Sequence, residues 1–374
     1  MSNQEQRPSY KRTLYLLALL FAVSFPHLTQ ADGPGPAETN TEKPDTQKPD
    51  TQKVDADFAF QGEFVGTVTV EPSHFKQIAL QVRAAGDGTF EAAQYMGGLP
   101  DSPNHKEPLV PLTGKLAGDF VVMSGGPWVV IGHPDYCLLV DRDGNRVGRL
   151  ERVYRVSPTI GAQPPKNATV LFDGTGTDQF SNGRMTEDGL LMEGADVKPM
   201  FQDFSLHLEF MLPYMPAGRD QGRGNSGCYL QSRYEVQILD SFAMESVFNG
   251  CGSLYRFRKP DVNMCFPPLV WQTYDIIFTA PRWASDGTKV KNARITVWHN
   301  GVKTHNDLEL TNKTGAGKPE GPTLLPIRFQ DHGNPVRFRN LWIIDRGIAP
   351  SAGFPVRSKP EDAKPADGEK PADA

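Results

Sequence analysis

Residues 206–212 read LHLEFML, and this short stretch decides the class of fold. Leucine or phenylalanine stands at every second position, with histidine, glutamate and methionine between them. Side chains of a β-strand point alternately to its two faces, so a period of two predicts a strand with one face on a hydrophobic core. The polar residues then fall on the opposite face.

The surrounding block, residues 168–350, carries further signs of an all-β fold. Ile295 and Val297 precede the dipeptide Asn300-Gly301, and Val302 follows it, a pattern typical of a hairpin with a tight primed turn. Short strand-like stretches recur between turn residues, and no sustained helical period is found. We therefore predict a jelly-roll sandwich for this block.

A second block, residues 57–156, has the same character and is predicted to form a smaller β domain of unknown role. Turn residues stand at 86–88 (GDG) and 141–144 (DRDG). A proline-containing connector, residues 157–167, leads to the sandwich. The strand-like stretches of the smaller block are 64–70, 78–84, 120–123, 128–131 and 137–140.

Both ends of the chain are predicted to lie outside the folded part. Lys11 and Arg12 precede an apolar run and a small-residue site ending at Ala31, which predicts a secretory signal peptide over residues 1–31. An uncleaved anchor is the alternative, but the run of about a dozen residues is shorter than the roughly 20 that a spanning helix needs. We expect a periplasmic or extracellular protein with no membrane span after cleavage. Residues 32–56 are predicted to be a solvated linker and residues 351–374 a disordered tail.

Charge and motif content exclude several functions. The 39 Lys and Arg residues and 44 Asp and Glu residues give a net charge of -5, with no basic stripe that could neutralise phosphates. Nucleic acid is therefore not an expected partner. Zinc-protease, nucleophile-elbow, phosphate-loop and dinucleotide signatures are absent from the sequence.

The stretch 224–240, GNSGCYLQSRYEVQILD, is the richest in polar side chains. If its central part is one extended strand, Leu230 and its alternate neighbours point to one side. The other face then presents two amides, a cation and a carboxylate, which suits the paired donors and acceptors of a sugar. An ordinary solvated sheet face is the alternative. The residues of the polar face are Gln231, Arg233, Glu235 and Gln237.

A predicted hairpin loop, residues 330–335, is a second candidate site. It contains Gln330, Asp331 and His332 in succession. Histidine titrates near neutral pH, so His332 could serve as a general base or metal ligand with Asp331 as its orienting partner. The alternative is a surface turn without a chemical role.

Four cysteines in an exported chain point to disulfide formation. Cys251 and Cys265 bracket a short segment and are the predicted pair. Cys228 and Cys137 are interpreted as buried thiols.

Several motifs of the second block occur in an order found in one family. They are LFDG at 171–174, GNSG at 224–227, YEVQILD at 234–240, NGV at 300–302, QDHG at 330–333 and VRFRN at 336–340. The chain resembles the 3-keto-disaccharide hydrolases, also described as 3-keto-glucoside lyase and hydratase domains. The resemblance implies a concanavalin-like sandwich that acts on glycosides already oxidised at C3 of the sugar. It leaves residues 57–156 without an assignment.

The resemblance also implies roles for the polar residues. His332 is the leading candidate base, and Glu235 is its alternative or the acid. Arg233, Gln237, Gln330 and Asn225 would bind substrate. A divalent metal held by Glu235, Asp331 and His332 is a further option.

The implied substrate has a consequence for partners. A sugar 3-dehydrogenase would have to generate the keto-sugar. The alternative function is a non-catalytic, lectin-like carbohydrate-binding module, since this architecture supports both.

Overall fold

The computed structural model describes residues 38–40, 53–71 and 73–347. The described part is almost entirely antiparallel β-sheet, as predicted. The predicted signal peptide and C-terminal tail, with most of the linker, lie outside these residues. Within the described ranges, no helix is long and apolar enough to cross a membrane.

Residues 62–156 form a closed antiparallel barrel of eight strands that follow one another in sequence order. The last strand pairs with both the first and the seventh, which closes the sheet. Closure removes the free edges that an open sheet would expose. The strands are β2 (Gly62–Glu71), β3 (His74–Gly86), β4 (Thr89–Met96), β5 (Lys106–Ala117), β6 (Phe120–Ser124), β7 (Val129–Gly132), β8 (Tyr136–Val140) and β9 (Arg146–Val156).

Alternate residues of these strands fill the barrel interior with apolar side chains, among them Phe64, Leu80, Phe90 and Leu139. A three-residue strand, β1 (Glu38–Asn40), lies within the predicted linker and pairs with the end of β9. The sequence pattern predicts five of the barrel strands but not β4, β5 and β9, whose apolar residues alternate less regularly.

The C-terminal part is a sandwich of two antiparallel sheets, which confirms the predicted fold class. A seven-stranded sheet has the order β10-β23-β14-β17-β20-β21, with β12 also on β23. Its strands are β10 (Thr169–Phe172), β12 (Leu191–Met192), β14 (Asp203–Met211), β17 (Trp271–Thr279), β20 (Ala293–His299), β21 (Val302–Leu310) and β23 (Arg337–Gly347).

The second sheet of the sandwich has five strands in the order β11-β13-β22-β15-β16. They are β11 (Phe180–Ser181), β13 (Asp196–Val197), β15 (Ser226–Leu230), β16 (Tyr234–Ile238) and β22 (Arg328–Phe329). A small separate hairpin consists of β18 (Arg282–Trp283) and β19 (Lys289–Lys291). One hydrophobic cluster joins the inner faces of both large sheets, including Leu208 and Phe210 of β14 and Val236 and Ile238 of β16.

Two turns of the sandwich, at residues 300–301 and 231–233, differ in whether the sequence predicts them. Asn300 and Gly301 have φ angles of 49° and 79° and join β20 to β21, which confirms the predicted tight hairpin. The predicted single strand through residue 231 is instead a hairpin. Gln231 and Ser232, with φ angles of 49° and 54°, reverse the chain between β15 and β16.

The connector after β9 is held to the outer face of the seven-stranded sheet. Thr159 donates a hydrogen bond to Asp275, and Gly161 N donates to Glu209 Oε1 at 2.6 Å. His207 lies beneath, with Nδ1 2.7 Å from Asp275 Oδ1 and its ring stacked on Trp342. His207 and Glu209 of the LHLEFML strand are therefore buried under the connector, although the sequence assigned them to a polar outer face.

Barrel and sandwich also share buried contacts elsewhere. Arg223 forms an ion pair with Asp240 and donates a hydrogen bond to the carbonyl of Ala84 on β3. Tyr214 packs within the hydrophobic cluster of the barrel. These contacts fix the segment that precedes β15, and so they help to position the site described next.

Candidate active site

The outer face of the five-stranded sheet is polar, whereas its inner face is apolar. Glu235 of β16 lies directly opposite Tyr229 of β15, and Gln237 lies opposite Gly227. On the other side of β15, Arg328 of β22 is the partner of Tyr229. Residues directly opposite each other in an antiparallel pair share a face, so these side chains form rows across the sheet.

The segment 252–255 extends this face beyond β16. Gln237 N donates to Ser253 O at 2.9 Å, and Tyr255 N donates to Glu235 O at 3.3 Å. Leu254, between them, bridges to Val236 and packs in the core. Ser253 and Tyr255 therefore flank a core residue and continue the polar face.

Glu235 is the central ionisable group of the site. Its side chain is buried, with 2% of the residue exposed, and it faces the side chain of Tyr229 across the strand pair. Burial penalises the charged form and raises the pKa of Glu235 to about 7, and the neighbouring Tyr229 hydroxyl partly opposes this rise. A carboxyl group with this pKa can accept and return a proton near neutral pH.

Tyr229 connects Glu235 to a cleft. It lines this cleft of about 720 Å³ and lies opposite Glu235 in the strand register. Burial, together with the nearby Glu235, raises the pKa of Tyr229 above its usual value, so the phenol stays protonated at neutral pH. Gln330 Nε2 donates to the Tyr229 hydroxyl at 3.4 Å. The other lining residues are Asn182, Gly183, Arg184, Gly194, Ser232, Ala316, Lys318, Arg328 and Asp331.

Gly227 makes room for the carboxyl group. A Cβ at this position would lie 2.5 Å from Glu235 Oε1 and 3.1 Å from the ring of Tyr229. Only a residue without a side chain leaves the Glu235–Tyr229 pair its space. Steric crowding therefore explains why a glycine stands at the last position of the GNSG motif.

Three buried polar atoms on or beside this face have no hydrogen-bond partner among the described residues. They are Glu235 Oε2, Ser253 Oγ and Asn225 Oδ1, each on a residue that is at most 2% exposed. An unsatisfied buried polar atom is costly, and such atoms are rare outside functional sites. Buried atoms elsewhere, such as Gln94 Oε1 and Gln272 Nε2, also lack a partner among the described residues, but a polar ligand on this face would satisfy the three atoms named here.

The other predicted binding residues divide into two groups. Gln237 and Asn225 lie on the ligand side of the sheet and both donate to the Gln221 side chain, at 3.0 and 3.5 Å. Arg233 instead supports a loop, because it donates to the carbonyls of Pro319 and Thr323 at 2.9 Å each. Gln231 likewise donates to the carbonyl of Phe201. The structure thus gives Arg233 a role in holding the segment that forms one wall of the cleft.

The loop after β22 places the predicted histidine at the surface. Asp331 lines the cleft and lies 3.7 Å from Arg184. His332 is exposed and has no hydrogen bond or ion pair with any described residue. No three His, Cys, Asp or Glu side chains within the described ranges are grouped as a metal site would require. Glu235, Asp331 and His332 do not form such a set, so we derive no step through a metal.

The predicted cysteine pair lies at the back of the same region. Cys251 and Cys265 are both buried free thiols in the hydrophobic cluster of the sandwich. Cys251 Sγ also lies 3.2 Å from the Tyr274 hydroxyl. The disulfide remains a prediction. Cys137 and Cys228 are separate buried thiols, as interpreted from the sequence.

Comparison with known proteins identifies the family. Residues 167–344 match the model of the 3-keto-alpha-glucoside-1,2-lyase-like domain. The chain is 33% identical to a candidate glycosyl hydrolase from Parabacteroides distasonis of known crystal structure, over 48% of this chain and 84% of that one, with a TM-score of 0.45. The chain belongs to the 3-keto-disaccharide hydrolase family.

A second candidate glycosyl hydrolase from the same organism matches this family member at 18% identity, over 48% of this chain and 94% of that one, with a TM-score of 0.36. No curated protein matches the chain. Family membership assigns the chain to the carbohydrate-active enzymes. The family match covers the sandwich, residues 167–344, and does not extend to the barrel.

Within this family member, Tyr229 is the site residue that sequence reasoning missed. The stretch 224–240 was treated as one strand, so Tyr229 received no partner. Neither Gln231 nor Ser232 is a residue that favours positive φ, and no Gly, Pro, Asn or Asp marks the turn 231–233 in the sequence. The period-two pattern on both sides of the turn was the one available clue.

Proposed function

We propose that this protein cleaves 3-keto-glycosides by elimination and hydration at the polar face of the five-stranded sheet. The observation that supports this proposal most directly is the buried Glu235 carboxyl group beside the cleft. One of its oxygens has no hydrogen-bond partner among the described residues, and burial raises its pKa to about 7. The cleft volume of about 720 Å³ lies within the usual range for small-molecule sites, about 300–1,000 Å³.

The proposed reaction begins at C2 of the oxidised sugar. The ketone at C3 acidifies the C2 hydrogen, and Glu235 removes it as a proton, leaving an enolate across C2, C3 and the C3 oxygen. Collapse of the enolate breaks the C1–O bond and expels the aglycone, which takes up a proton. Water then adds hydroxyl to C1 and a proton to C2 of the enone. The sum is hydrolysis without the carboxylate pair of ordinary glycosidases.

Neighbouring donors would stabilise the charge that develops on the sugar. Arg328 and Lys318 line the cleft, and Gln330 lies beside Tyr229. Donors and cations aimed at an enolate oxygen lower the barrier to its formation. Gln237 and Asn225 face the same side and would bind sugar hydroxyls.

The geometry favours Glu235 over His332 as the base. Glu235 is buried in the polar row next to Tyr229, whereas His332 is exposed on the loop after the cleft-lining Asp331. A base must lie on the side of the sheet where the substrate binds, and Glu235 shares that face with the cleft-lining Tyr229.

The experiment that tests this function compares oxidised and unoxidised glycosides. Purified protein is incubated with 4-nitrophenyl 3-keto-glucoside, and release of 4-nitrophenol is followed by absorbance. Unoxidised 4-nitrophenyl glucoside is the matched control, because it carries the same leaving group without an acidic C2 hydrogen. We expect release from the keto-sugar alone, with deuterium uptake at C2 in heavy water.

Two results would contradict the proposal. Equal release from both substrates would indicate an ordinary glycosidase mechanism. Saturable binding of the keto-sugar without release would favour the lectin-like alternative, which the same fold can support.

We further propose that the protein works outside the cytoplasm and receives its substrate from a sugar 3-dehydrogenase. The signal-peptide pattern of residues 1–31 supports export, and the required ketone implies an oxidation step before this one. N-terminal sequencing of protein recovered from the periplasm would test export. A mature terminus near residue 32 is expected, whereas an intact Met1 in the cytoplasm would contradict it.

A further inference from the structure

The hydroxyl group of Tyr229 takes no part in the removal of the C2 proton by Glu235. Tyr229 lies opposite Glu235 in the strand register, on the same face of the sheet, and its side chain forms part of the cleft wall. Tyr229 therefore presents a hydroxyl group to a sugar in the cleft, beside the carboxyl group that removes the C2 proton.

We propose that Tyr229 is a catalytic residue, the general acid that protonates the departing aglycone oxygen. This inference rests on the proposed function and assigns the second proton transfer of that reaction. The assignment depends on the register of β15 and β16, which places Tyr229 opposite Glu235.

The proton balance closes within the pair. Glu235 takes the proton from C2, and the C1–O bond breaks as the enolate collapses. Tyr229 gives its phenolic proton to the aglycone oxygen and becomes a phenolate. Glu235, now protonated and opposite Tyr229 on the same face, returns a proton to the phenolate oxygen. Both residues regain their starting forms, and no external acid or base is consumed.

The surroundings of Tyr229 fit this role. The Gln330 amide donates to the phenolic oxygen at 3.4 Å and would stabilise the transient negative charge, as would Arg328 across the strand pair. Burial and the nearby Glu235 raise the pKa of Tyr229. The phenol therefore remains protonated at neutral pH and can donate its proton to the departing oxygen. Gly227 keeps the pair free of a third side chain.

Tyr229→Phe separates the acid from the base. The phenylalanine variant keeps the ring and Glu235 but lacks the proton donor. A general acid contributes about 10²–10⁴-fold, mainly for poor leaving groups. We expect at least about a 100-fold loss of kcat/KM on methyl 3-keto-glucoside and less than about a 10-fold loss on the 4-nitrophenyl substrate. Deuterium exchange at C2 of the methyl substrate should persist.

Tyr234→Phe is the matched control. Tyr234 is also a buried tyrosine of this hairpin whose hydroxyl donates to a carboxylate, that of Glu320, but its ring points into the core. The control should leave the ratio of the two substrate rates unchanged. Equal losses on both substrates in Tyr229→Phe, or loss of C2 exchange, would overturn the proposal.

A second variant keeps the test decisive if Tyr229→Phe does not fold. Replacing Tyr229 by 3,5-difluorotyrosine retains the shape and makes the phenol more acidic. The alkaline limb of the pH profile for the methyl substrate should move to lower pH, and an unmoved limb would overturn the assignment. Failure of the wild-type protein to cleave either keto-sugar would instead refute the proposed function itself, and the role of Tyr229 with it.

Discussion

The Tyr229 phenol and the Glu235 carboxyl group lie directly opposite each other on adjacent strands, on the same face of the sheet. Their contact depends on a three-residue turn, 231–233, which brings residues six positions apart in sequence side by side. A phenol that keeps its proton thus lies against a carboxyl group that titrates near pH 7. The pair can hold one proton and accept another at neutral pH.

Glu235→Gln should abolish most turnover. Removal of the base is expected to lower kcat/KM on 4-nitrophenyl 3-keto-glucoside by about 10²–10⁴-fold. In the wild-type protein, kcat/KM should rise with pH through about 7, where Glu235 loses its proton. Steady-state rates from pH 5 to 9 test both statements. A variant with the wild-type pH profile would contradict the assignment.

The same substitution should change how stability depends on pH. The folded-state pKa of Glu235 is raised from 4.5 to about 7, so its contribution to stability is fully present below pH 4.5 and is lost as pH rises through 7. The loss is roughly 3 kcal/mol at most. Urea unfolding of Glu235→Gln at pH 5 and pH 8 should show a smaller decline than the wild type. An identical decline would indicate an ordinary pKa.

His332→Ala should retain activity. The side chain is exposed and has no hydrogen bond or ion pair within the described part of the chain, so its loss leaves no buried group unsatisfied. We expect kcat/KM within about twofold of the wild type, since surface substitutions rarely perturb a site. Loss of turnover on the 4-nitrophenyl substrate would instead restore His332 as the base.

Gly227→Ala should damage the site while leaving the fold intact. The new Cβ would lie 2.5 Å from Glu235 Oε1, so the carboxyl group must move away from Tyr229. Overpacking of this kind costs about 1–3 kcal/mol, and we expect at least about a tenfold loss of kcat. Gly176→Ala is the control, because no atom lies within 4 Å of its added Cβ. Equal effects of the two substitutions would argue against a steric role for Gly227.

His207 should make the attachment of the connector dependent on pH. Burial disfavours its charged form, but hydrogen bonds and charges of Asp275 and Glu209 outweigh burial and raise its pKa to about 9. This stabilisation is fully present below pH 6.5 and is lost as pH rises through 9, and it amounts to roughly 3 kcal/mol at most. Urea unfolding at pH 6 and pH 10 should show the decline in the wild type and in the control His74→Gln, whose histidine is exposed. A decline that persists in His207→Gln would contradict this origin.

A count of free thiols tests the predicted disulfide between Cys251 and Cys265. Cys251 and Cys265 lie side by side, and a bond between them would close a loop of about 15 residues, worth about 3 kcal/mol. Protein from an oxidising compartment should therefore show two alkylatable thiols under denaturing conditions and four after reduction. Four thiols before reduction would contradict the disulfide.

Much of the fold was accessible from sequence because alternation is a local property. The LHLEFML stretch and the Asn300-Gly301 turn specify their own conformations, and the structure has both. The candidate carboxyl group, Glu235, was also accessible, since its strand neighbours Tyr234 and Val236 mark the core face. Closure of the barrel between β9 and β2 was not, because strand partners distant in sequence leave no local trace.

The roles of individual polar residues required the tertiary structure. The period-two pattern assigns Arg233 and Glu235 to the same face of a strand. In the structure, Arg233 donates hydrogen bonds to the carbonyls of residues 319 and 323, whereas one oxygen of Glu235 has no partner among the described residues. By itself, the sequence determined an all-β sandwich with a polar strand that carries a carboxyl group. Tertiary structure alone decided that Tyr229 faces Glu235, because that contact depends on a turn in which Gln231 and Ser232 adopt positive φ, and the burial that shifts both pKa values comes from long-range packing.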